Sequence, residues 1–338
     1  MTSVPTQTTL TRSEAAGADR THPAIRFLRV WGTIIVIIAV GIGFSIASPY
    51  FLTVSNLNNI VFAMFTSAML SIGLTYVVAA GSFDLSIGII VTTASIICAM
   101  CIPVTGAPIA IVIALLASAA IGLVNGVLVT YLRISGIVGT IGVMFLLEGV
   151  NQYLTGGYQI AVNYDENFFR WLGQGRIEVI AVKSIFLFVF FGIAYLIANK
   201  LRTGHYISAV GDNPLAAYYG GIPVYRWVIV SFVLCAVYCG IAGVFLASTS
   251  SSAQPTGGAG YLLEAFAAVF LGATILGKGK PHVLGTLLGV FFLYMVSNGM
   301  TQFGIDSSAR KLFNGFVLLI AVGANAFLNR EELHLKFI

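Results

Sequence analysis

Acidic and amide side chains inside otherwise apolar runs are the residues of this sequence best able to do chemistry. They form three groups: Asp84 with Ser86, Glu148 with Asn151 and Gln152, and Glu264 close to Phe266. Each carboxylate could accept hydrogen bonds from a polar ligand, and Asp84 and Glu264 could instead stabilise a helix N-terminus. A helix cap is the favoured role for Asp84. For Glu148, contact with a polar ligand and a simple position at the water interface are equal alternatives.

Metal binding and catalysis are not indicated. Cysteines occur in two close pairs, Cys98 with Cys101 and Cys235 with Cys239, but both pairs lie inside apolar runs. Metal motifs usually occur in polar loops with supporting hydrogen bonds, so we expect no metal site. The four histidines lie in tails or at loop edges and form no catalytic constellation: His22, His205, His282 and His334.

One segment comes close to a phosphate-binding loop. Gly272 to Lys278 fits G-x-x-x-x-G-K, but the next residue is Gly279 where that motif needs Ser or Thr for magnesium. The segment also ends an apolar helix instead of following a strand. We therefore expect the chain to be neither an enzyme nor the holder of a cofactor, and any ATP to be bound by a separate chain.

Composition places these residues in a membrane protein. Of the 338 residues, 58% are hydrophobic and 9% are charged, whereas soluble domains carry about 25% charged residues. The formal net charge of +5 comes without a basic stripe interleaved with aromatic residues, so nucleic acid is not an expected partner. Membrane lipids are expected partners.

Long stretches without charge predict an all-α, polytopic transmembrane bundle of about ten spans. The predicted helices are 31–48, 58–80, 85–102, 108–131, 137–155, 180–199, 226–248, 262–277, 283–303 and 311–328. An even number of spans puts both termini on one side. If that side is the cytoplasm, it carries 12 of the 17 lysines and arginines, which agrees with the positive-inside rule. The outer five are Arg170, Arg176, Lys183, Arg310 and Lys311, and the last three fit least well.

This reading divides the chain into three parts. Residues 1–29 are expected to be a disordered cytoplasmic tail, 30–329 the transmembrane domain, and 330–338 a second cytoplasmic tail. Within the domain, 200–225 is expected to be a cytoplasmic loop between the sixth and seventh spans.

The loop at 200–225 carries the signals of a short helix. Asp212 or Asn213 could cap it, Pro214 suits its first position, and Gly220-Gly221 would end it. A short amphipathic helix between two spans suits docking into a groove on a partner. Physical reasoning alone gives equal weight to a helix that lies on the membrane surface without a partner.

The same loop resembles the coupling loop of sugar-type ABC-importer permeases, the ribose, galactose and xylose group. The residues that carry this resemblance are Gly204, Ala209, Gly211, Asn213, Ala216, Ala217, Gly221, Ile222 and Val224. Relatives often have Lys or Arg after the alanine pair, where this chain has Tyr218 and Tyr219. The resemblance implies that this loop, including Pro214, contacts the ATPase subunit of a transporter.

Three further stretches resemble the same family: Ala80–Gly88, Gly139–Gly149 and Tyr261–Gly279. Relatives frequently place Arg where this chain has Glu148. The resemblance implies a bacterial inner-membrane permease of a binding-protein-dependent importer. Its partners would be an ABC ATPase, a periplasmic sugar-binding protein and a second permease copy or paralogue.

The expected function is import of a monosaccharide or a similar small neutral polyhydroxy solute. Low intramembrane charge is compatible with a neutral solute, which needs hydrogen-bonding groups and stacking faces. The tentative path residues are Asp84, Ser86, Glu148, Asn151, Gln152, Glu264 and Phe266. The alternative is an ion-coupled secondary transporter, but such carriers usually bury an acid in mid-membrane, and these acids are predicted near span ends.

Overall fold

The computed structural model describes residues 23–162, 167–275 and 279–328. The predicted tails fall mostly outside this part, because residues 1–22 and 329–338 are not described. The amino-terminal boundary differs from the prediction: α1 begins at Pro23, so residues 23–29 are helical. Proline suits the first turn of a helix, and the apolar residues that follow it continue into the span.

Helices make up nearly all of the described chain. They are α1 (Pro23–Ala47), α2 (Val54–Ala79), α3 (Ile87–Thr105), α4 (Ala107–Thr130), α5 (Gly136–Thr155), α6 (Asn167–Gln174), α7 (Val182–Asn199), α8 (Arg202–Asp212), α9 (Pro214–Tyr219), α10 (Val224–Ser250), α11 (Tyr261–Ile275), α12 (Val283–Gln302) and α13 (Ser307–Leu328).

The all-α membrane bundle is confirmed, and the span count agrees roughly with the prediction. Seven helices are long and apolar enough to cross a membrane: α2, α3, α4, α5, α7, α10 and α12. Residues 34–47 of α1 and the whole of α11 are shorter apolar helices. Each of the ten predicted spans corresponds to a helix, with ends displaced by a few residues.

The centre of the bundle is α2. Within its most apolar 18-residue window 83% of the residues are buried, against 22% for α5. The core around α2 is formed by α7, α10, α11 and α12, while α3 and α4 pack against α10. Serine and threonine on α2 supply polar contacts in this apolar setting: the Thr75 and Thr286 hydroxyls lie 2.8 Å apart, which joins α2 to α12.

The connection between α5 and α7, which lies between two of the predicted spans, is folded. It contains α6 and three two-residue strands, β1 (Ile160–Ala161), β2 (Arg176–Ile177) and β3 (Ile180–Ala181). β1 pairs antiparallel with β4 (Ser252–Ala253), and β2 pairs with β3. These pairings satisfy backbone groups between the helices and attach this connection to the end of α10.

A second difference lies between α7 and α10. The segment predicted as a loop with one short helix contains two helices, because Arg202–Asp212 forms α8 ahead of α9. Gly204 and Gly211 weakened the helical signal there, but both glycines are needed for close contacts with neighbouring helices. The ends of α2, α7 and α10 that lie beside α8 and α9 are called the α9 end of the bundle below.

Candidate functional site

The short helix α9 has the predicted ends. Asn213 is its N-cap, and the Asn213 side chain accepts a hydrogen bond of 2.9 Å from the Ala216 N–H. Pro214 occupies the first turn, where its missing N–H costs nothing. Gly220 ends the helix and Gly221 follows with φ +81°, a left-handed conformation suited to glycine. Asp212, the other candidate cap, instead ends α8.

Most of α9 projects from the bundle. Ala217 is buried, and Ile222 beyond the helix end packs against the core, which anchors the segment. Ala216 is exposed, and the large side chains are strongly exposed: Leu215 by 65%, Tyr218 by 67% and Tyr219 by 80%. A groove of about 760 Å³ lies beside them, lined by Tyr131, Pro214, Leu215, Tyr218, Pro223, Val224, Tyr225 and Arg226. Such a ridge beside a groove suits contact with another protein.

Close backbone contacts hold α8 in place. A Cβ atom at Gly204 would collide with the Ala198 carbonyl of α7, and one at Gly211 would collide with the Ala79 carbonyl of α2. The Asp212 carboxylate accepts a hydrogen bond of 2.8 Å from the Lys280 ammonium, just ahead of α12. Movement of α8, which leads directly into α9, would therefore be felt by α2, α7 and the segment ahead of α12.

His282 lies two residues after Lys280 and is the N-cap of α12. Its ring packs against Gly285, and both ring nitrogens are buried without a hydrogen-bond partner among the described residues. Burial lowers the pKa of His282 below its ordinary value, so the imidazole is neutral at pH 7. A neutral, enclosed ring indicates a packing role.

Asp84 lies in an enclosed polar cluster. Its side chain is 0% exposed, and it accepts hydrogen bonds from the Ser86 N–H (2.8 Å) and the Ser86 hydroxyl (2.6 Å). Asn125 of α4 donates to the Ser86 oxygen at 2.8 Å, and Thr140 of α5 accepts from the Leu85 N–H at 3.0 Å. The cluster therefore joins the start of α3 to α4 and α5.

The predicted cap role of Asp84 needs one correction. The residue at the N-cap position of α3 is Ser86, and Asp84 lies two residues before it. Its carboxylate satisfies the N–H of the cap residue instead of an N–H inside the first turn. Asp84 and Ser86 are both buried between helices, away from any exposed face of the described chain.

The three residues grouped around Glu148 separate in space. Glu148 and Gln152 are on the exposed face of α5. Asn151 is 0% exposed and donates a hydrogen bond of 3.0 Å to the Thr93 hydroxyl on α3. Asn151 therefore fastens α5 to α3, while Glu148 and Gln152 are free to meet a solute or another subunit.

Glu264 lies where four helices meet. One of its carboxylate oxygens accepts hydrogen bonds from Ser67 of α2 (2.8 Å) and Tyr294 of α12 (3.0 Å). The other accepts a longer one, 3.4 Å, from Asn314 of α13. All three donors are neutral hydroxyl or amide groups.

Sequence reasoning missed Ser67, Tyr294 and Asn314, because each is far from Glu264 along the chain. The four-residue spacing of Ser67, Ser71 and Thr75 on α2 was a possible signal for a polar helix face. Nothing in the spacing identified the acid that this face would meet.

Phe266 belongs to a cluster of three rings. Its centroid lies 6.3 Å from that of Phe83 and 6.2 Å from that of Phe270, and the Phe83 and Phe270 centroids are 6.5 Å apart. These three side chains, called the aromatic cluster below, are partly exposed. Phe83 and Phe270 were not among the predicted site residues.

Lys183 is buried near the opposite end of the bundle. It was an exception to the predicted charge distribution, and the structure shows it only 4% exposed. Its ammonium lies 4.7 Å from the ring centroid of Phe62 and 5.3 Å from that of Phe65. Cation–π contacts therefore offset part of the cost of placing this charge inside the bundle.

Comparison with known proteins agrees with this architecture. Residues 56–322 match the family described as branched-chain amino acid transport system / permease component. The chain belongs to this family. It is thus a multi-pass inner-membrane permease subunit and not an enzyme. No solved structure matches the chain significantly.

Curated relatives of this permease are sugar importers by name. The ribose import permease protein RbsC of Escherichia coli K12 is 34% identical over 82% of this chain and 88% of its own length. RbsC of Haemophilus influenzae is 31% identical over 91% of this chain and 96% of its own length. The L-arabinose transport system permease protein AraH of E. coli K12 is 30% identical over 91% of this chain and 94% of its own length. The resemblance to sugar-importer permeases is confirmed.

Proposed function

We propose that this permease imports a monosaccharide or a similar small neutral polyhydroxy solute, driven by ATP that a partner subunit hydrolyses. The family description names amino acids, but the relatives with high coverage are named for ribose and arabinose. The observation that carries the proposal is α9: a capped helix, anchored by Ala217, that presents exposed apolar side chains outside the bundle.

The α9 end is assigned to the cytoplasm, with both termini on that side. The distribution of Lys and Arg supports this orientation, since Arg133, Lys200, Arg202 and Arg226 lie around α8, α9 and the ends of α4 and α7. The ATPase would receive Leu215, Tyr218 and Tyr219 in a cleft. Its nucleotide-driven closure would then move α9.

The exposed face of α5 is assigned to a second permease copy or paralogue and to the solute path between the two. A carboxylate facing lipid is costly, so Glu148 needs water or protein around it. Gly142 and Gly149 lie on the same exposed helix, where another backbone could approach closely. A periplasmic sugar-binding protein would deliver the solute to the end opposite α9.

Four predicted residues keep a direct role in this proposal: Glu148, Gln152, Glu264 and Phe266. Their carboxylate, amide and ring groups match the hydrogen-bonding and stacking needs of a sugar. Asp84, Ser86 and Asn151 are assigned to joining helices, because their hydrogen bonds are made within the bundle.

An exposed charge on α9 tests the coupling. We expect Tyr219→Glu to reduce co-purification of the transporter's ATPase by about tenfold, because a desolvated charge at an interface is strongly unfavourable. Tyr158→Glu is the matched control, since Tyr158 is 79% exposed and lies beyond α5, at the opposite end from α9. Undiminished association of the Tyr219 variant would contradict the assignment of α9.

The driving force is tested by uptake of ¹⁴C-labelled ribose and arabinose into proteoliposomes containing the permease, its ATPase and its binding protein. Uptake should require ATP in the compartment that the α9 end of the bundle faces. Glu264, an acid held by neutral partners, is the feature that favours the ion-coupled alternative. Uptake that persists without ATP and stops when the proton gradient is dissipated would establish that alternative.

A further inference from the structure

The aromatic cluster lies on an uncovered face of α11. Leu263 is 65% exposed, and Phe266, Phe270 and Thr274 are partly exposed at successive intervals of three or four residues. Such spacing places them on one helix face. Between them, Ala267, Ala268 and Val269 are buried. The cluster is therefore open to whatever lies beside α11.

The loop that carries Phe83 is attached to α8. The Gly211 backbone packs against the Ala79 carbonyl, and a Cβ at Gly81 would lie 3.6 Å from the Gly211 Cα. Gly81 has φ +79°, which favours glycine and fixes the turn that leads to Phe83. A shift at the C-terminus of α8, immediately before α9, would move this turn.

The α11 side of the cluster is attached to the same place. Asp212 pairs with Lys280 at 2.8 Å. Beside Lys280, the Gly279 N–H donates a 3.1 Å hydrogen bond to the Ala273 carbonyl on α11, close to Phe270. The exposed ion pair is weak as a source of stability. The ion pair matters here for its position. Gly211 and Asp212 are adjacent residues, and together they contact both chain segments that carry the aromatic cluster.

We infer that the aromatic cluster is the constriction that closes the solute path near the α9 end, and that movement of α9 separates its rings. This inference rests on the proposed function. Phenylalanine rings offer a hydrated sugar no hydrogen bonds, so a closely packed set excludes both water and solute. Once separated, the same rings present faces that can stack on the apolar face of a sugar.

Passive leakage tests the constriction without ATP. Proteoliposomes containing wild-type permease with bound ATPase, loaded with ¹⁴C-ribose, should retain it, whereas the double variant F83A/F270A should release it about tenfold faster. Phe190→Ala is the control, because Phe190 stacks on Phe186 and meets the Phe245 ring edge-on, away from the cluster. Equal leakage from wild type and the double variant would overturn the inference.

Labelling provides a second measurement that needs only one substitution. A cysteine at Phe266→Cys, treated from the α9 side with a membrane-impermeant maleimide, should react at rates that differ about fivefold between the nucleotide-free and the ADP–vanadate-trapped complexes. Phe190→Cys should show no such difference. Identical rates for the Phe266 variant in both complexes would also overturn the inference.

The two proposals fail differently. If the wild-type complex shows no ATP-dependent uptake, the proposed function is wrong. The wild-type complex could instead transport solute while F83A/F270A leaks no faster than wild type and the labelling rate of Phe266→Cys is the same with and without nucleotide. In that case the inference about the constriction is wrong and the proposed function is unaffected.

Discussion

Asp84 shows how much a single residue depends on its surroundings. Its position before an apolar helix favours a cap, although a ligand contact is also compatible with that position. In the structure it accepts hydrogen bonds from Ser86, and Asn125 completes the cluster from α4. Glu264 is the contrasting case, since its neutral donors come from three other helices and its side chain is partly exposed. The buried Asp84 therefore has a structural role, whereas the partly exposed Glu264 is a candidate for the solute path.

Removing the Asp84 carboxylate should destabilise the permease. We expect Asp84→Ala to lower the free energy of unfolding by about 1–3 kcal/mol, because the Ser86 N–H and hydroxyl lose their buried acceptor. Asp84→Asn keeps an acceptor and should lose less. Thermal unfolding in detergent measures the effect, with Glu178→Ala, at an exposed acidic residue, as control. A melting temperature for Asp84→Ala equal to that of wild type would contradict the structural role.

At the scale of elements, close helix packing explains where glycine is needed. α4 and α10 pack tightly along their lengths, and a Cβ at Gly122 of α4 would lie 2.6 Å from the Phe232 carbonyl oxygen and 2.9 Å from the Val233 Cα. Backbone atoms cannot yield as a flexible side chain does, so the two helices would have to move apart. The same reasoning applies to Gly211 where α8 meets α2.

Gly122→Ala should therefore cost stability although alanine is the better helix former. We expect a loss of about 1–3 kcal/mol from overpacking, larger than the gain in helix propensity. Gly192→Ala on α7 is the matched control, since a Cβ added there meets nothing within 4 Å in the described structure outside the nearby backbone of its own helix. Chemical or thermal unfolding of both variants should separate them; similar stabilities would show that α4 can shift without loss.

At the scale of the whole molecule, α5, α11 and α13 are among the helices of the described chain that expose side chains. α5 is the least buried of the seven long apolar helices, and it carries Glu148 and Gln152 outward. α11 exposes the aromatic cluster, and α13 exposes Leu312, Phe316 and Leu319. Leucine and phenylalanine side chains suit a lipid environment, but Glu148 and Gln152 need water or protein around them, which supports the proposed second copy.

Enlarging the α5 face tests that assembly. Gly149→Leu should convert a dimer into monomers, because a Cβ at Gly149 meets nothing within 4 Å beyond the nearby backbone of its own helix, whereas a leucine would collide with a close partner. Gly192→Leu on α7 is the control, with equally open surroundings in the described structure. Native mass spectrometry in detergent gives the stoichiometry. A dimeric Gly149 variant would place the interface elsewhere.

The sequence by itself determined the features that depend on local composition and neighbouring residues. Low charge required a helical membrane bundle, uncharged runs located its helices, and Asn213, Pro214 and Gly220 defined α9. The family motifs indicated a transport subunit, and the relatives agree. Only the tertiary structure joined Glu264 to Ser67, Tyr294 and Asn314, separated Asn151 from Glu148, and brought Phe83 to Phe270. Those contacts link residues distant in sequence, and in a chain this uniformly apolar the helix faces that meet are decided by packing and hydrogen bonding between helices.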